Sequence, residues 1–219
     1  SYKPFSSDEL KRIFQPDLYI KKMRLPDFYW GPLIALFTGM RAEEIASLRV
    51  DQITTDFGVW LINIEGGKTV NAARRVPLHD QLIKLGLIEY VEWVQKAGYT
   101  RLFPHLVPGK NGFKKNMCRM FGVYLDLPEV NIVDPLKVFH SFRHTVITKL
   151  TDKGVSDGLK KSMVGHDAET VESAHDDYIH AEELTLDSMR KAINRLDYLG
   201  VDFGMLKIFI QQFMLKNIL

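Results

Sequence analysis

The stretch that decides the fold is LPDFYWGPLIALFTGMRAEEIASL, residues 25–48. Its apolar residues run almost unbroken as far as Thr38-Gly39, and a glycine that follows a helical pattern is typical of a helix end. The pattern therefore predicts a buried helix up to Thr38 and a second helix that turns Ile45 and Leu48 inward. The chain on either side of this break must pack around these two helices.

Arg41 and Glu44 lie three residues apart near the start of the second helix, so their side chains project from the same face. An arginine in this place can simply form a salt bridge. Alternatively, its planar guanidinium can clamp a phosphate while Glu44 holds the arginine in place. The stretch alone is compatible with both interpretations.

The hydrophobic period changes over residues 50–78, VDQITTDFGVWLINIEGGKTVNAARRVPL. Apolar residues alternate along VWLINI and two glycines mark a turn, which is typical of a small antiparallel sheet. Lys68 then lies at a hairpin tip. A lysine there is either a solvated turn residue or a means of delivering an ammonium group to a leaving group.

Elsewhere the pattern is mainly helical, so the fold class is α+β, mainly α-helical with a small antiparallel three-stranded sheet. SSDELKRIF, residues 6–14, has Ser6 and Glu9 at capping-box spacing. Further helices are predicted at about 80–97, 112–125, 141–152, 156–163 and 181–197. We expect one domain over residues 1–200, followed by an apolar C-terminal helix over residues 201–219 that buries itself against its own domain or a neighbouring subunit.

Composition restricts the class of protein. With 219 residues, of which 46% are hydrophobic, the chain can bury a sizeable core, and its longest apolar stretch is too short to span a bilayer. The single cysteine, Cys118, cannot form an intrachain disulfide, and no signal peptide opens the sequence. We therefore expect a reducing, cytoplasmic setting. The net charge of +2 does not by itself indicate a polyanionic partner.

Basic residues nevertheless cluster locally. Such clusters are either solvated faces or, where the fold brings them together, a surface for phosphates. The candidates for phosphate contact are Arg74, Arg75, Lys114, Lys115 and Arg119.

The segment KVFHSFRHTVITKL, residues 137–150, offers a second arginine. If a helix begins near Ser141, His140 and Arg143 lie together at its first turn, where main-chain N–H groups and the helix dipole favour an anion. The alternative is a capping histidine and a surface arginine. His140 and His144 also have the spacing of zinc ligands, although no acid lies between them.

The segment VGHDAETVESAHDDYIH, residues 164–180, brings His166 and Tyr178 close in sequence. A tyrosine hydroxyl has a pKa near ~10 and is a poor nucleophile unless cations stabilise its anion and a base takes its proton. These cations and this base could be two arginines, a lysine and histidines elsewhere in the chain. Otherwise Tyr178 is an amphipathic packing residue.

The order of these motifs, TGMRAEEIASL, then GGKT and RRVPL, then HSFRHT, VGH and YIH, resembles the catalytic domain of the tyrosine recombinases, the phage integrase family. The resemblance extends from FSSDEL to the tyrosine of YIH. In that family two arginines, a hairpin lysine, a histidine of an H-x-x-R pair, a later histidine or tryptophan and a tyrosine form one active site. Carried over motif by motif, the catalytic residues are Arg41, Lys68, His140, Arg143, His166 and Tyr178, with Glu44 as the supporting acid.

The resemblance implies a site-specific DNA recombinase, a phage or prophage integrase, that cuts and rejoins strands through a 3′-phosphotyrosyl intermediate. Arg41 and Arg143 would hold the nonbridging oxygens of the scissile phosphodiester. Tyr178 would attack phosphorus, and Lys68 would protonate the departing 5′ hydroxyl. The two histidines would assist proton transfer and hold a phosphoryl oxygen. Because the phosphotyrosyl link keeps the bond energy, the reaction needs no cofactor and no metal.

The resemblance also implies partners. We expect duplex DNA, a homotetramer on paired DNA sites, DNA-bending accessory proteins and no membrane, in the cytoplasm of a bacterial host cell. The chain begins at Ser1 within sequence that already reads as ordered. An upstream core-binding or arm-binding domain is therefore expected to be absent from this chain.

Other functions stay open at this point. One is a noncatalytic DNA-binding module of the same fold, and another is a type IB topoisomerase, which shares the phosphotyrosyl chemistry without exchanging strands. Tyr198 is the alternative nucleophile. The last is a metal-dependent hydrolase, with ligands drawn from His140, His144, His166, His175 and His180.

Overall fold

Short helices surround one buried central helix and a small sheet. The computed structural model describes residues 1–66, 73–110, 112–165 and 185–208. Within these ranges, no helix is long and apolar enough to cross a membrane. The strands are β1 (Ile53–Asp56), β2 (Val59–Ile64) and β3 (Arg74–Pro77). The helices are α1 (Ser7–Ile13), α2 (Pro16–Lys22), α3 (Pro26–Thr38), α4 (Ala42–Ala46), α5 (Asp80–Leu85), α6 (Leu87–Lys96), α7 (Lys114–Leu125), α8 (Ser141–Asp152), α9 (Asp157–Val164) and α10 (Leu186–Ile193).

The central helix is α3, because nearly all of its side chains are buried. Gly31 lets α7 approach closely, since a Cβ at this position would lie 2.6 Å from Met117 Sδ. The helix ends at Gly39, which adopts the left-handed conformation with φ 67° and ψ 12°. α4 then begins at Ala42. The two helices predicted from residues 25–48, and the break between them, are confirmed.

The predicted antiparallel sheet is also confirmed, with strand order β1-β2-β3. Phe57 and Gly58 form the turn between β1 and β2, and both have positive φ, 45° and 76°. This is the conformation that suits a two-residue hairpin. In the second pairing Val76 lies opposite Ile62, and both are fully buried. This face of the sheet therefore packs against the helices.

The helices predicted at about 112–125, 141–152 and 156–163 are confirmed, with ends shifted by at most two residues. Of the helix predicted over 181–197, residues 181–184 lie outside the described residues, and the described helix is shorter, Leu186–Ile193. The capping box of α1 is present, since the Ser6 N–H donates to the Glu9 carboxylate at 2.7 Å and the Glu9 N–H donates to Ser6 Oγ at 3.2 Å. The single helix predicted over residues 80–97 is wrong, because Gly86, with φ 97°, separates α5 from α6. The sequence pattern also misses α2, which has Pro16 in its first turn and is capped by the Gln15 side chain.

Part of the apolar C-terminal segment packs within the chain's own core. Phe203 and Leu206 belong to a short 3-10 helix and are buried. The Phe203 ring lies 4.9 Å from the Phe37 ring, centroid to centroid, and Tyr29 donates its hydroxyl hydrogen to the Leu206 carbonyl at 2.5 Å. Residues 201–208 thus continue the packing of α3. The rest of the predicted helix, residues 209–219, lies outside the described residues.

Candidate active site

Arg41 and Glu44 lie together where α3 gives way to α4. Gly39 allows this break, because a Cβ there would lie 3.1 Å from both Val146 and Val164 and its φ of +67° disfavours other residues. Arg41 precedes α4 and donates its main-chain N–H to Glu44 Oε2 at 2.8 Å. Its Nη1 lies 3.5 Å from Glu44 Oε1. The two side chains therefore share one face, as their spacing predicts.

Arg143, in the first turn of α8, is buried, with only 1% of its surface exposed. Its Nη1 donates to the Gly39 carbonyl at 3.0 Å and also to the Val164 carbonyl. Its Nη2 donates to the Gly165 carbonyl at 2.8 Å. The interpretation of this residue as a surface arginine is wrong. One guanidinium group instead ties the C-terminal end of α3 to the C-terminal end of α9.

His140 directly precedes α8, one turn before Arg143. Its side chain makes no capping hydrogen bond to the described first turn of that helix, so the capping interpretation is wrong. Its ring lies 5.2 Å from the His144 ring and 5.7 Å from the Tyr2 ring, centroid to centroid. His140 is thus packed against aromatic rings, beside the two helix starts that place Arg41 and Arg143.

Arg74, the first residue of β3, is buried against α4 and α9, with 5% of its side chain exposed. Its Nη1 and Nη2 donate to the two oxygens of Glu44 at 2.9 and 2.8 Å, and its Nε donates to the Met163 carbonyl at 2.8 Å. Burial alone would raise the pKa of Glu44, but hydrogen bonds and charge from Arg74, with Arg41, lower it below the usual value. Arg74 was expected to contact DNA phosphate; the structure places its guanidinium inside the fold instead.

The period of the strand could have identified this buried arginine. Successive side chains on a strand point to opposite faces, so Arg74 shares a face with Val76, which is fully buried. Arg75 points the other way, is 43% exposed and pairs with Asp56. Of the two neighbouring arginines, Arg75 is the one available to a phosphate.

A cavity of about 540 Å³ opens between α4, α7 and the start of α8. Two of the predicted catalytic residues, Arg41 and His140, line it. Lys114 and Arg119 of α7 are exposed and line the same cavity, whereas Lys115, also exposed, does not. The cavity therefore brings three cationic side chains and one histidine around a single opening, which suits an anion.

Glu43 fixes the position of α7 at this cavity, a role that the sequence interpretation missed. Its carboxylate accepts the Phe113 N–H at 2.9 Å and the Lys114 N–H at 3.0 Å. These are main-chain groups at the start of α7, where a carboxylate is favoured. Cys118, on the next turn, also lines the cavity, and burial raises the pKa of its thiol to about 11. The thiol is therefore a neutral wall group at physiological pH.

Several predicted site residues lie outside the described residues. These are the catalytic candidates Lys68, His166 and Tyr178 and the further histidines His175 and His180. The described chain reaches Gly66 before the first gap and Gly165 before the second. Arg143 binds the carbonyl of Gly165, so the chain enters the segment of His166 and Tyr178 directly from the site.

Tyr198, the alternative nucleophile, is buried in the core. Its hydroxyl donates to the Leu36 carbonyl at 2.6 Å. Burial, with the charge of Asp197, raises its pKa well above the usual range. A phenol in this position can neither reach DNA nor ionise readily, so the suggestion that Tyr198 is the nucleophile is wrong.

The metal-site alternative finds no described cluster. Within residues 1–66, 73–110, 112–165 and 185–208, no group of three or more histidine, cysteine, aspartate or glutamate side chains is arranged to hold a metal ion. His140 and His144 are adjacent, but the other three histidines of that hypothesis lie in the undescribed segment.

Comparison with known proteins identifies the family of this chain. A model of the phage integrase family matches residues 5–184. Among curated protein sequences, none matches the chain significantly. The matched range includes every residue of the site described above except Tyr2.

Solved structures share the fold at low sequence identity. The integrase of mycobacterium phage Brujita is 18% identical, with a TM-score of 0.55 over 97% of this chain. The XerH site-specific recombinase bound to difH substrate is 19% identical, with a TM-score of 0.57 over 76%. The integrase of the Tn1549 transposon, in complex with transposon right-end DNA, is 20% identical, with a TM-score of 0.51 over 88%. This chain spans 62%, 47% and 65% of those three chains, respectively.

Proposed function

We propose that this chain, which belongs to the phage integrase family, is the catalytic domain of a site-specific recombinase that integrates phage or prophage DNA. It cuts one DNA strand with Tyr178, holds the cut end as a 3′-phosphotyrosyl ester, and rejoins that end to a different 5′ hydroxyl. The bond energy passes from phosphodiester to phosphotyrosine and back. No cofactor is therefore required by this chemistry.

The observation that carries the proposal is the set of hydrogen bonds made by Arg143. It joins the Gly39 carbonyl, two residues before Arg41, to the Gly165 carbonyl, one residue before His166. His140 directly precedes the helix that carries Arg143. Residues that are more than a hundred positions apart in sequence are thus gathered around one buried cation. Such preorganised positive charge is what stabilises the transition state of phosphoryl transfer.

Each group has a role suited to its environment. Arg41, with 36% of its side chain exposed at the cavity, faces the scissile phosphate, and Arg143 adds a second positive charge from within the fold. Lys68 protonates the departing 5′ hydroxyl. His140 moves a proton to and from Tyr178, while His166 supports the phosphoryl oxygen. Neighbouring phosphates are bound by the exposed cations Arg75, Lys114, Lys115 and Arg119.

Duplex DNA is the proposed partner. Structures of XerH and of the Tn1549 integrase contain DNA, which supports the same substrate here. Exposed cations position the protein along the duplex without specifying sequence, and an upstream domain supplies base readout. We expect a homotetramer on paired sites, aided by DNA-bending proteins, acting in the cytoplasm of a bacterial host.

The test uses the full chain and a pool of duplexes that carry a randomised segment and a nick just downstream of it. A nick lets the short 5′-hydroxyl fragment diffuse away, so a cut strand stays attached to protein. Covalent adducts are separated on a denaturing gel without added metal or nucleotide, and the attached strands are sequenced. We expect adducts from the wild type, enriched in a common sequence, and none from Tyr178→Phe.

Two outcomes would redirect the proposal. DNA binding without any wild-type adduct would indicate a noncatalytic module of the same fold. Adducts with relaxation of supercoiled plasmid, but no exchange between two marked duplexes, would indicate a type IB topoisomerase. Exchange of strands between marked duplexes is what distinguishes a recombinase.

A further inference from the structure

The buried ion pair between Arg74 and Glu44 joins the hairpin to the site described above. β3 follows the gap of residues 67–72, which includes Lys68, and Arg74 is its first residue. Its Nη2 donates to Glu44 Oε2 of α4 at 2.8 Å, and its Nε donates to the Met163 carbonyl of α9, also at 2.8 Å. A single side chain therefore links three elements that lead to three predicted catalytic residues.

Arg74 shares the charge of Glu44 with Arg41. The carboxylate accepts two bonds from Arg74, and it also accepts the Arg41 N–H at 2.8 Å and lies 3.5 Å from Arg41 Nη1. The Arg74 guanidinium makes two short bonds to the carboxylate, whereas the Arg41 guanidinium makes one longer contact. Arg74 therefore neutralises most of the negative charge of Glu44. Without Arg74, the same carboxylate would draw the Arg41 guanidinium onto itself and away from a phosphate.

Arg74 also supports the segment that leads to His166. Its Nε binds the Met163 carbonyl, while Arg143 binds the next two carbonyls, of Val164 and Gly165. The guanidinium packs against Gly165, where a Cβ would lie 3.2 Å from Arg74 Cζ. Two arginines thus hold three consecutive carbonyls, and the chain continues from there into the segment of His166.

We infer that Arg74 is a positioning residue for strand cleavage: it keeps Arg41 available to the phosphate and fixes the approach to His166, and it does not itself contact DNA. The inference rests on the proposed recombinase function. It replaces the direct phosphate contact expected from the sequence, because a guanidinium with 5% of its side chain exposed is withdrawn from the surface that DNA would touch.

The test is single-turnover cleavage of a nicked duplex, recovered from the selection above, by the full chain, with DNA affinity measured separately over a series of salt concentrations. For Arg74→Gln we expect the rate at saturating DNA to fall on the order of 10-fold to 100-fold. The dissociation constant and its salt dependence should remain those of the wild type. Arg190→Gln is the matched control, because it removes another arginine–carboxylate pair, with Asp80 at 3.3 Å, and should leave the saturated rate unchanged.

Further variants separate the effect of charge from general damage. Glu44→Gln, added to Arg74→Gln, removes the carboxylate that would capture Arg41, so part of the lost rate should return. Arg74→Lys keeps the positive charge without the two-pronged bond and should cleave at an intermediate rate. Circular dichroism reports folding of each protein, and if Arg74→Gln is unfolded, Arg74→Lys and the double variant provide the same comparison.

Three results would contradict the inference. A weaker affinity, with a salt slope reduced by about one and an unchanged saturated rate, would identify Arg74 as a direct phosphate contact. An unchanged rate and an unchanged affinity would leave Arg74 with no part in cleavage. No rescue in the double variant would exclude capture of Arg41 by Glu44. If the wild type itself forms no adduct, the proposed function fails, and the role of Arg74 in cleavage fails with it.

Discussion

Arg143 should stabilise the fold as well as serve the reaction, and replacing it with methionine tests the first role without DNA. Methionine fills much of the same space but donates no hydrogen bond. The change would leave the carbonyls of Gly39, Val164 and Gly165 without the charged donor that now binds them. All three would then be polar groups at a buried junction, which is costly.

The size of the effect follows from these three bonds. A hydrogen bond to a charged group contributes about 1.5 kcal/mol at the low end of its range, so three contribute about 4.5 kcal/mol. Arg143→Lys should cost about half as much, because one ammonium group cannot span two helix ends as a planar fork does. A loss of about 4.5 kcal/mol is large against the ~5–15 kcal/mol by which domains are stable.

Urea denaturation, followed by the fluorescence of the buried Trp30, measures the loss directly. With a slope of about 2.5 kcal/mol per molar urea, the midpoint of Arg143→Met should fall by about 1.8 M. Arg119→Met is the control, since this exposed arginine on α7 bonds Asn116 of its own helix, and its stability should lie within about 0.5 kcal/mol of the wild type. If the free energy of unfolding of Arg143→Met also lies within about 1 kcal/mol of the wild-type value, the hydrogen bonds of Arg143 do not stabilise the fold.

Three further predictions concern the same site. Glu44→Gln should cost about 3 kcal/mol at neutral pH, because it leaves the Arg74 guanidinium buried without its carboxylate; since the folded pKa of Glu44 is lowered from 4.5, this stabilisation is present above pH 4.5 and lost as the pH falls further, so urea midpoints of variant and wild type should converge in acid. Gly165→Ala should cost about 1–3 kcal/mol in the same assay, because φ 86° and ψ 160° form a conformation that is nearly restricted to glycine; an unchanged midpoint would contradict that backbone geometry. Arg75→Gln should weaken DNA binding and reduce its salt slope by about one, and an unchanged slope would remove Arg75 from the DNA surface.

Local pattern was sufficient for the elements that depend on neighbours in sequence. The break at Gly39 was predictable because a left-handed residue after an apolar helical run strongly favours glycine. The capping box at Ser6 and Glu9 is likewise a four-residue signal. Gly86 carries the same type of signal as Gly39, yet the apolar period continues across it, so α5 and α6 were predicted as one helix.

The inner contacts of the site could not be predicted from local pattern. Arg143 is buried because its partners are main-chain carbonyls, one of them 104 residues away. Since every residue carries a carbonyl, no pattern of side chains identifies these as the partners. For Arg74 a signal existed in the alternation of β3, but two adjacent arginines look like an exposed basic pair until one is assigned to the buried face. The sequence therefore identified the arginine motifs. Only the fold shows which of these arginines are buried inside the site and which are exposed.

The central claim is that Tyr178 carries the cut DNA strand, and peptide mass spectrometry tests it most directly. Adducts formed by the full chain on a nicked duplex would be digested with nuclease and protease, and the nucleotide-bearing peptide would be sequenced. We expect a nucleoside 3′-phosphate attached through its phosphate to Tyr178, unaffected by Tyr198→Phe and abolished by Tyr178→Phe. A nucleotide attached to any other residue, or an adduct that survives Tyr178→Phe, would contradict it.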